Sequence, residues 1–478
     1  MRYRIARLAT LSAVAATFAV GAGAQQPAKS SGKSASAKPT KQKPPALGTP
    51  KAFKLPPKRE FTLANGMKVT LVPFGKIPKV SVYASVRTGH IDEGANEVWL
   101  SDVTGEMMRE GTSTRSASDI AEQVAGMGGE LNVNVGDDNV RVGGAVLSER
   151  GPEMVALIAD VLRHPKLPGS ELVRIAATKA RDVAIAKSQP QAVAQEKFLA
   201  TMYGDHPYGR AFPTDAMLKG YTVEEVEDFH AENFGAARTH LYIVGVYNAS
   251  AMEDAARKAF GDWARGPAPT VKPPSPKSER SVALLDRPDA VQSTIMLGLP
   301  TPNPTASDFT ALEVSDAILG GTFGSRITTN IREQKGYTYS PYSYLATHRK
   351  DAYWVEQADV TTKFTGASLK EIFSEIDRLR SAPPGTTELN GIKNNMIGIF
   401  TLRNASRGGI VNQLDNVDLQ GLPSNYLSTY VQRVMAVTPG DVQRTTKAYL
   451  RPEAMTLVVV GDKKTVEEQL APYVKPVQ

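Results

Sequence analysis

The sequence predicts an α+β chain of two repeated halves, each an antiparallel sheet packed with helices. Two observations carry that prediction. The apolar run "LYIVG" at 241–245 recurs as "LVVVG" at 457–461, and each follows a helix start at the same distance, "TVEEV" at 222–226 and "TPGDV" at 438–442, so both pairs are offset by 216 residues. Short apolar runs bounded by turn signals read as buried strands, and Thr followed three residues later by an acid reads as a capped helix N-terminus. Between the halves lies "RGPAPTVKPPSPKSER", Arg265 to Arg280, whose prolines interrupt helix and strand alike and read as a linker at 265–280.

In chain order the first element is a leader. Arg2, Arg4 and Arg7 precede an apolar run from Leu8 to Ala22, closed by Ala22-Gly23-Ala24, the pattern of a secretory signal peptide over 1–24. The run is short for a membrane span, and no later stretch approaches about 18 apolar residues, so no integral span is expected after leader cleavage. The expected location is exported and periplasmic; a retained leader acting as a membrane anchor is the alternative. Residues 25–59 hold eight Lys and one Arg, no acid, and many Pro, Ser and Ala, and read as a disordered tether. The formal charge of +7 belongs to these segments: without the leader's +3 and the tether's +9, the body nets −5. That balance argues against nucleic acid as a partner. With no cysteine, disulfides and thiolate metal ligands are excluded, and an exported chain must rely on its core.

The first half, 60–264, continues with a helical face of Ile120 and Val124 ending at Gly128-Gly129. An alternating strand follows (Leu131, Val133, Val135), then a Gly-Asp-Asp-Asn turn and a return strand. The second half, 281–475, repeats this as Ile327 and Ile331, then Gly336, the alternating "YTYSPYSYLA" and the return strand "AYWVEQADV". Amphipathic helices come next in both, with Met154, Val155, Ile158, Val161 and Leu162 in one and Leu369, Ile372, Ile376 and Leu379 in the other.

One stretch carries chemistry that periodicity does not explain. "SDVTGEMMREGT", 101–112, spaces Asp102, Glu106 and Glu110 four apart, which in a helix aligns three carboxylates. Such a row can be a metal site, a general acid or base, or a solvated stripe.

Around it, "FTLANGMKVTLVPFGKIPKVSVYASVRTG" (61–89), "MMREGT" (107–112), "DHPYGR" (205–210) and "GTFGSRITTNIREQKGYTYSPYS" (321–343) occur in order. The chain resembles the insulinase and pitrilysin-like metallopeptidases, in particular the bacterial branch similar to mitochondrial processing peptidase, from about residue 60 to 475. The resemblance implies a clamshell of two metallopeptidase-like domains. Active members carry H-x-x-E-H just before a segment like "MMREGT": two His hold zinc, the Glu takes a proton from zinc-bound water, and a distant Glu completes the shell. Here Asp102, Val103, Thr104, Gly105 and Glu106 stand in the five motif positions, so both His and the general base are replaced, and the distant ligand falls near Asp182. We therefore expect no metal bound by this chain. Asp102 and Glu106 are expected to form a solvated or partner-facing surface; a hard-cation site of Asp102, Glu106 and Asp182 is the lesser alternative. None of the six His is paired at metal-ligand spacing, and His206 in its "HPYG" turn reads as structural.

In the family, a second-domain Arg and a Tyr seven residues later close over the substrate opposite the zinc. The matching residues are Arg332, near a helix end, and Tyr339, expected on the following strand beyond the Gly336 turn. A guanidinium can grip substrate carbonyls, and a phenol can donate to an oxyanion. The resemblance thus implies an exported, zinc-less subunit of a two-chain peptidase. Its partner would be a homologous zinc-bearing subunit, and its substrate a peptide or unfolded protein. A non-catalytic structural or peptide-binding scaffold is the rival expectation, and an independently active metallopeptidase the third.

Overall fold

The alternating and apolar runs of the first half become β1 (Arg59–Thr62), β2 (Lys68–Pro73), β3 (Lys79–Val86), α1 (Leu100–Met107), α2 (Ala117–Gly126), β4 (Asn132–Val135), β5 (Val140–Leu147), α3 (Gly151–Arg163), α4 (Gly169–Ser188), α5 (Pro190–Tyr203), α6 (Asp215–Gly220), α7 (Val223–Asn233), β6 (Thr239–Gly245) and α8 (Ala249–Phe260). The second half supplies β7 (Ser281–Asp286), β8 (Gln292–Pro300), α9 (Phe309–Leu319), a π-helical segment (Thr328–Gln334), β9 (Tyr342–His348), β10 (Asp351–Thr361), α10 (Thr365–Ser381), α11 (Thr386–Arg403), α12 (Arg407–Gln420), α13 (Tyr426–Ala436), α14 (Pro439–Tyr449), β11 (Thr456–Gly461) and α15 (Lys463–Val474). This computed structural model describes Gly48, residues 50–269 and residues 273–474. The leader 1–24, most of the tether and 270–272 of the Pro-rich segment lie outside the described residues. No described helix is long and apolar enough to cross a membrane.

Topology makes the repeat explicit. The sheets run β1-β2-β6-β3-β5-β4 and β7-β11-β8-β10-β9, so the order from β2 onward recurs strand for strand. Neighbours are antiparallel except β2 with β6 and β7 with β11, a refinement of the expected antiparallel sheets. Each parallel pair is joined through nearly the whole of its half, far more than the roughly a dozen residues that a parallel crossover requires. The helix starts are as read: Glu225 N–H donates to Thr222 Oγ1 at 3.2 Å while Thr222 N–H donates to Glu225 Oε2 at 2.7 Å. Thr438 and Asp441 repeat the arrangement at 3.1 and 3.0 Å.

The runs "LYIVG" and "LVVVG" lack alternation because both faces of β6 and β11 are buried. Leu241 and Ile243 of β6 face the first half's own helices, whereas Tyr242 and Val244 meet Ile410, Val411 and Leu414 of α12. Reciprocally, Leu457 and Val459 of β11 face the second half's core, and Val458 and Val460 meet Ala194, Phe198 and Met202 of α5. Each half thus lends one helix to cover the other's sheet.

Candidate functional site

Helix α1 is anchored at its start by a carboxylate. Glu93 accepts from Trp99 N–H at 3.0 Å and from both Ser101 N–H and Ser101 Oγ, at 3.0 and 2.5 Å, meeting the unpaired amides of the helix N-terminus. Burial pushes Glu93 up to about 7, against the pull of His90 and of these hydrogen bonds. Trp99 holds a left-handed backbone at φ 67° while its indole N–H donates to Ala211 O at 3.2 Å. Leu100, Val103 and Met107 face the core. At Gly105 an added Cβ would lie 2.7 Å from Val135 Cγ2 of β4, so the position of the family's general base is closed by packing.

Asp102 and Glu106 project together and meet cations. Lys179 of α4, only 13% exposed, sets Nζ 3.7 Å from Asp102 Oδ1 and 3.5 Å from Glu106 Oε1. On the other side His90 Nε2 lies 2.7 Å from Asp102 Oδ2, and its Nδ1 lies 2.9 Å from Asp137 Oδ1. Flanked by two carboxylates, the imidazole is held as a cation: burial alone would lower its pKa, but the bonds to Asp102 and Asp137 and the charge of Glu93 push it up to about 11. Asp137 extends the chain of charges into the second half, with Oδ2 3.3 Å from His348 Nδ1 of β9. Burial would raise Asp137, yet its bonds to the two histidines hold it well below the ordinary carboxylate range.

The row of acids is partly exposed and ion-paired along its length, since Glu110 also pairs, with Arg174 at 2.5 Å. And α4 turns Lys179, one turn before the expected Asp182, toward Asp102 and Glu106, while Asp182 stays exposed. His90, Glu93 and Lys179 escaped the sequence reading because none stands at motif spacing from Asp102. His206 behaves as read: its side chain caps the 3-10 turn Pro207–Gly209 by accepting from Tyr208 N–H at 3.3 Å.

The second predicted pair is brought together. Arg332, in the π-helical segment rather than an α-helix, lies over two rings, its Cζ 4.3 Å from the centre of Phe323 and 5.0 Å from that of Tyr339. Its Nε is 3.3 Å from Glu333 Oε1. Phe323 and Tyr339 are 71% and 77% exposed, so the stack stands at the surface. Tyr339 sits in the loop before β9, not on the strand, since Pro341 has no N–H for a ladder. Gly336 makes the turn as expected, at φ +65°. Phe323 is the partner the sequence reading missed.

Comparison with known families decides the identity. Residues 74–215 match the family model "Insulinase (Peptidase family M16)" and residues 220–396 match "Peptidase M16 inactive domain". The chain belongs to the insulinase family. An uncharacterized zinc protease of Mycobacterium leprae is 28% identical over 59% of this chain and 65% of its own length. One of Mycobacterium bovis is 26% identical over 75% of this chain and 80% of its own. Among solved structures, a peptidase M16 inactive domain from Pseudomonas fluorescens superposes with TM-score 0.79 at 23% identity, covering 85% of this chain and 98% of that one. A protease from Helicobacter pylori does so with TM-score 0.80 at 18% identity, covering 85% and 100%.

The insulinase family implies zinc, and the residues at the motif positions of this member do not fit it. Lys179 and His90 already pair with Asp102, and Lys179 with Glu106, and a side chain at position 105 would meet Val135. A second donor group, His90, Glu93 and Asp102, has candidate ligand atoms within 4.8 Å of one another. Its atoms are spent: His90 on two carboxylates, and Glu93 on two backbone amides and a hydroxyl.

Proposed function

We propose that this chain is the zinc-less subunit of an exported, two-chain insulinase-like peptidase and completes the peptide cleft of a zinc-bearing homologue. The observation that carries the reading is a contrast within one chain. Lys179 occupies the carboxylates of the replaced motif, while Arg332 lies against the exposed rings of Phe323 and Tyr339. The partner would supply zinc, the activated water and the general base. This chain would supply the grip. With the guanidinium held by two rings and its Nε against Glu333, its remaining N–H groups would donate to a substrate carbonyl or carboxylate. The Tyr339 phenol would donate to the oxyanion as it develops. Extended peptides and unfolded segments suit a cleft assembled from two chains.

The test is zinc content and cleavage of a quenched fluorescent peptide, for the purified chain alone and mixed with a zinc-motif homologue from the same genome. We expect neither zinc nor turnover alone, and turnover on mixing. In the mixture Arg332→Ala or Tyr339→Phe should reduce turnover on the order of 10²-fold. Stoichiometric zinc with turnover in the isolated chain would overturn the proposal. Full activity of both variants in the mixture would leave the scaffold reading in its place.

A further inference from the structure

The second half encloses a cavity of about 380 Å³ that plays no part in the reading above. Glu313 and Asp316 of α9 enter it from one side, and Tyr344, Phe400, Tyr426 and Tyr430 wall it. The repeat fixes its place. In strand and helix order α9 stands in the second half where α1 stands in the first, and α11 where α4 stands. Glu106 and Asp316 each lie five residues before a Gly-Thr pair, Gly111-Thr112 and Gly321-Thr322. Both halves therefore set carboxylates on the corresponding helix, but they treat them differently.

In the first half α4 delivers Lys179 to the acids. In the second, α11 lines the cavity with Asn395, Met396, Ile399, Phe400 and Arg403, so it too brings a cation to the cavity, but one that does not pair with the acids. Among the described residues, no Lys, Arg or His nitrogen comes within the 4.0 Å ion-pair distance of Glu313, Asp316 or Glu356. Asp316 is 9% exposed, and both its hydrogen bonds, from Ser343 Oγ at 2.5 Å and Trp354 Nε1 at 2.8 Å, end on Oδ1. Its Oδ2 faces Gly321 on the cavity wall, 2.5 Å from where a Cβ would stand. Glu313 Oε2 has no hydrogen-bond partner, and neither oxygen of the fully buried Glu356 has one. Arg433 is near Glu313 and gives its Nη1 to Tyr426 O and Thr429 Oγ1, at 2.8 and 2.5 Å, while its buried Nη2 makes no hydrogen bond.

We propose that this cavity binds the ammonium or guanidinium head of an organic cation supplied from outside the chain, as Lys179 supplies one from inside it in the first half. The carboxylates would bond the head and the aromatic side chains of the wall would cover an aliphatic stem, Arg433 already lying over the Tyr426 and Tyr430 rings at 3.9 and 5.8 Å. A lysine or arginine side chain of a peptide and a free diamine offer this chemistry equally. Burial supports the assignment by pushing Glu313 up to about 7 and Asp316 up to about 6, so a bound cation displaces protons. The charged and titratable groups around them are Arg403 of α11, Arg433, Tyr426 and Tyr430 of α13, Tyr344 of β9 and Glu356 of β10. Binding should tighten as pH rises through 6 to 7.

The proposal is independent of the partner reading, because its test uses the full chain alone. Trp354, bonded to Asp316, is the reporter: its indole N–H resonance is followed in tryptophan-labelled protein. The probes are a blocked arginine tripeptide, the same peptide with citrulline, putrescine and calcium chloride. We expect a saturable shift with the arginine peptide, putrescine or both, and the citrulline peptide at least about tenfold weaker. A response to putrescine alone identifies a free cation as the ligand, and a response to the peptide alone a side chain. Glu313→Gln, which removes a buried charge without changing shape, should weaken binding about tenfold or more. Met396→Lys, which builds in an ammonium, should abolish it. No saturable shift with either cation at concentrations on the order of 10 mM would overturn the proposal. So would equal binding of the citrulline peptide, a response to calcium alone, or unchanged binding by a folded Glu313→Gln protein.

Discussion

His90 joins Asp102 to Asp137, and the signs of their shifts predict a pH signature. A histidine raised from 6.5 to about 11 contributes stability that is complete below about pH 6.5 and fades as pH climbs toward 11. Asp137, held low, contributes stability present above about pH 4 and lost as pH falls through its depressed value. Melting temperatures across a pH series should therefore decline on the alkaline side, and His90→Gln should flatten that decline. An equally steep alkaline slope in the variant would mean that His90 is not the group responsible. The sequence discloses this site unevenly. Arg332 and Tyr339 stand in a motif specific enough to assign, and Asp102, Gly105 and Glu106 are found by counting back from Gly111-Thr112. Lys179 was hidden because a lysine on a helix is ordinarily a solvated surface residue, and only folding brings α4 against α1.

At the scale of elements, local chemistry was the most readable. The Thr222 and Thr438 caps follow from a hydroxyl and an acid three residues apart, and the same capping geometry appears in both halves. Thr222→Ala and Thr438→Ala should each cost about 1 kcal/mol in denaturant unfolding, and their costs should add in the double variant because the caps share no partner. Elements whose form depends on distant partners were less legible. Strand β9 begins at Tyr342 rather than at Tyr337 because Pro341 interrupts the ladder, and the alternating tyrosines before it carry no sign of that. The π-helical segment bearing Arg332 reads as an ordinary helix, and the parallel seams at β2 with β6 and β7 with β11 depend on pairing that no local pattern specifies.

Over the whole molecule the decisive feature is the exchange of α5 and α12. Phe198, fully buried, belongs to the first half but packs under the second half's sheet beside Val355 and Val458. Phe198→Ala should cost about 3 to 5 kcal/mol and lower a single calorimetric transition, since Pro50–Gln478 is one compact unit. Two separated transitions, with only one displaced, would contradict that coupling. The repeat itself was visible in two pairs of short runs. The exchange was not, because a strand buried on both faces has the same composition whichever helix covers it.

That exchange also sets an order of events for a chain made from its N-terminus. The first sheet can pair as soon as β6 has appeared, yet Val72, Tyr242 and Val244 stay uncovered until α12 arrives more than 160 residues later. A nascent chain paused at the Pro-rich segment therefore presents a bare apolar sheet face, the surface a holdase recognises and a protease exploits. Fragments cut at that segment should be insoluble apart and rescue each other when made together. The completed molecule is then a complementation of two fragments that happen to share one backbone.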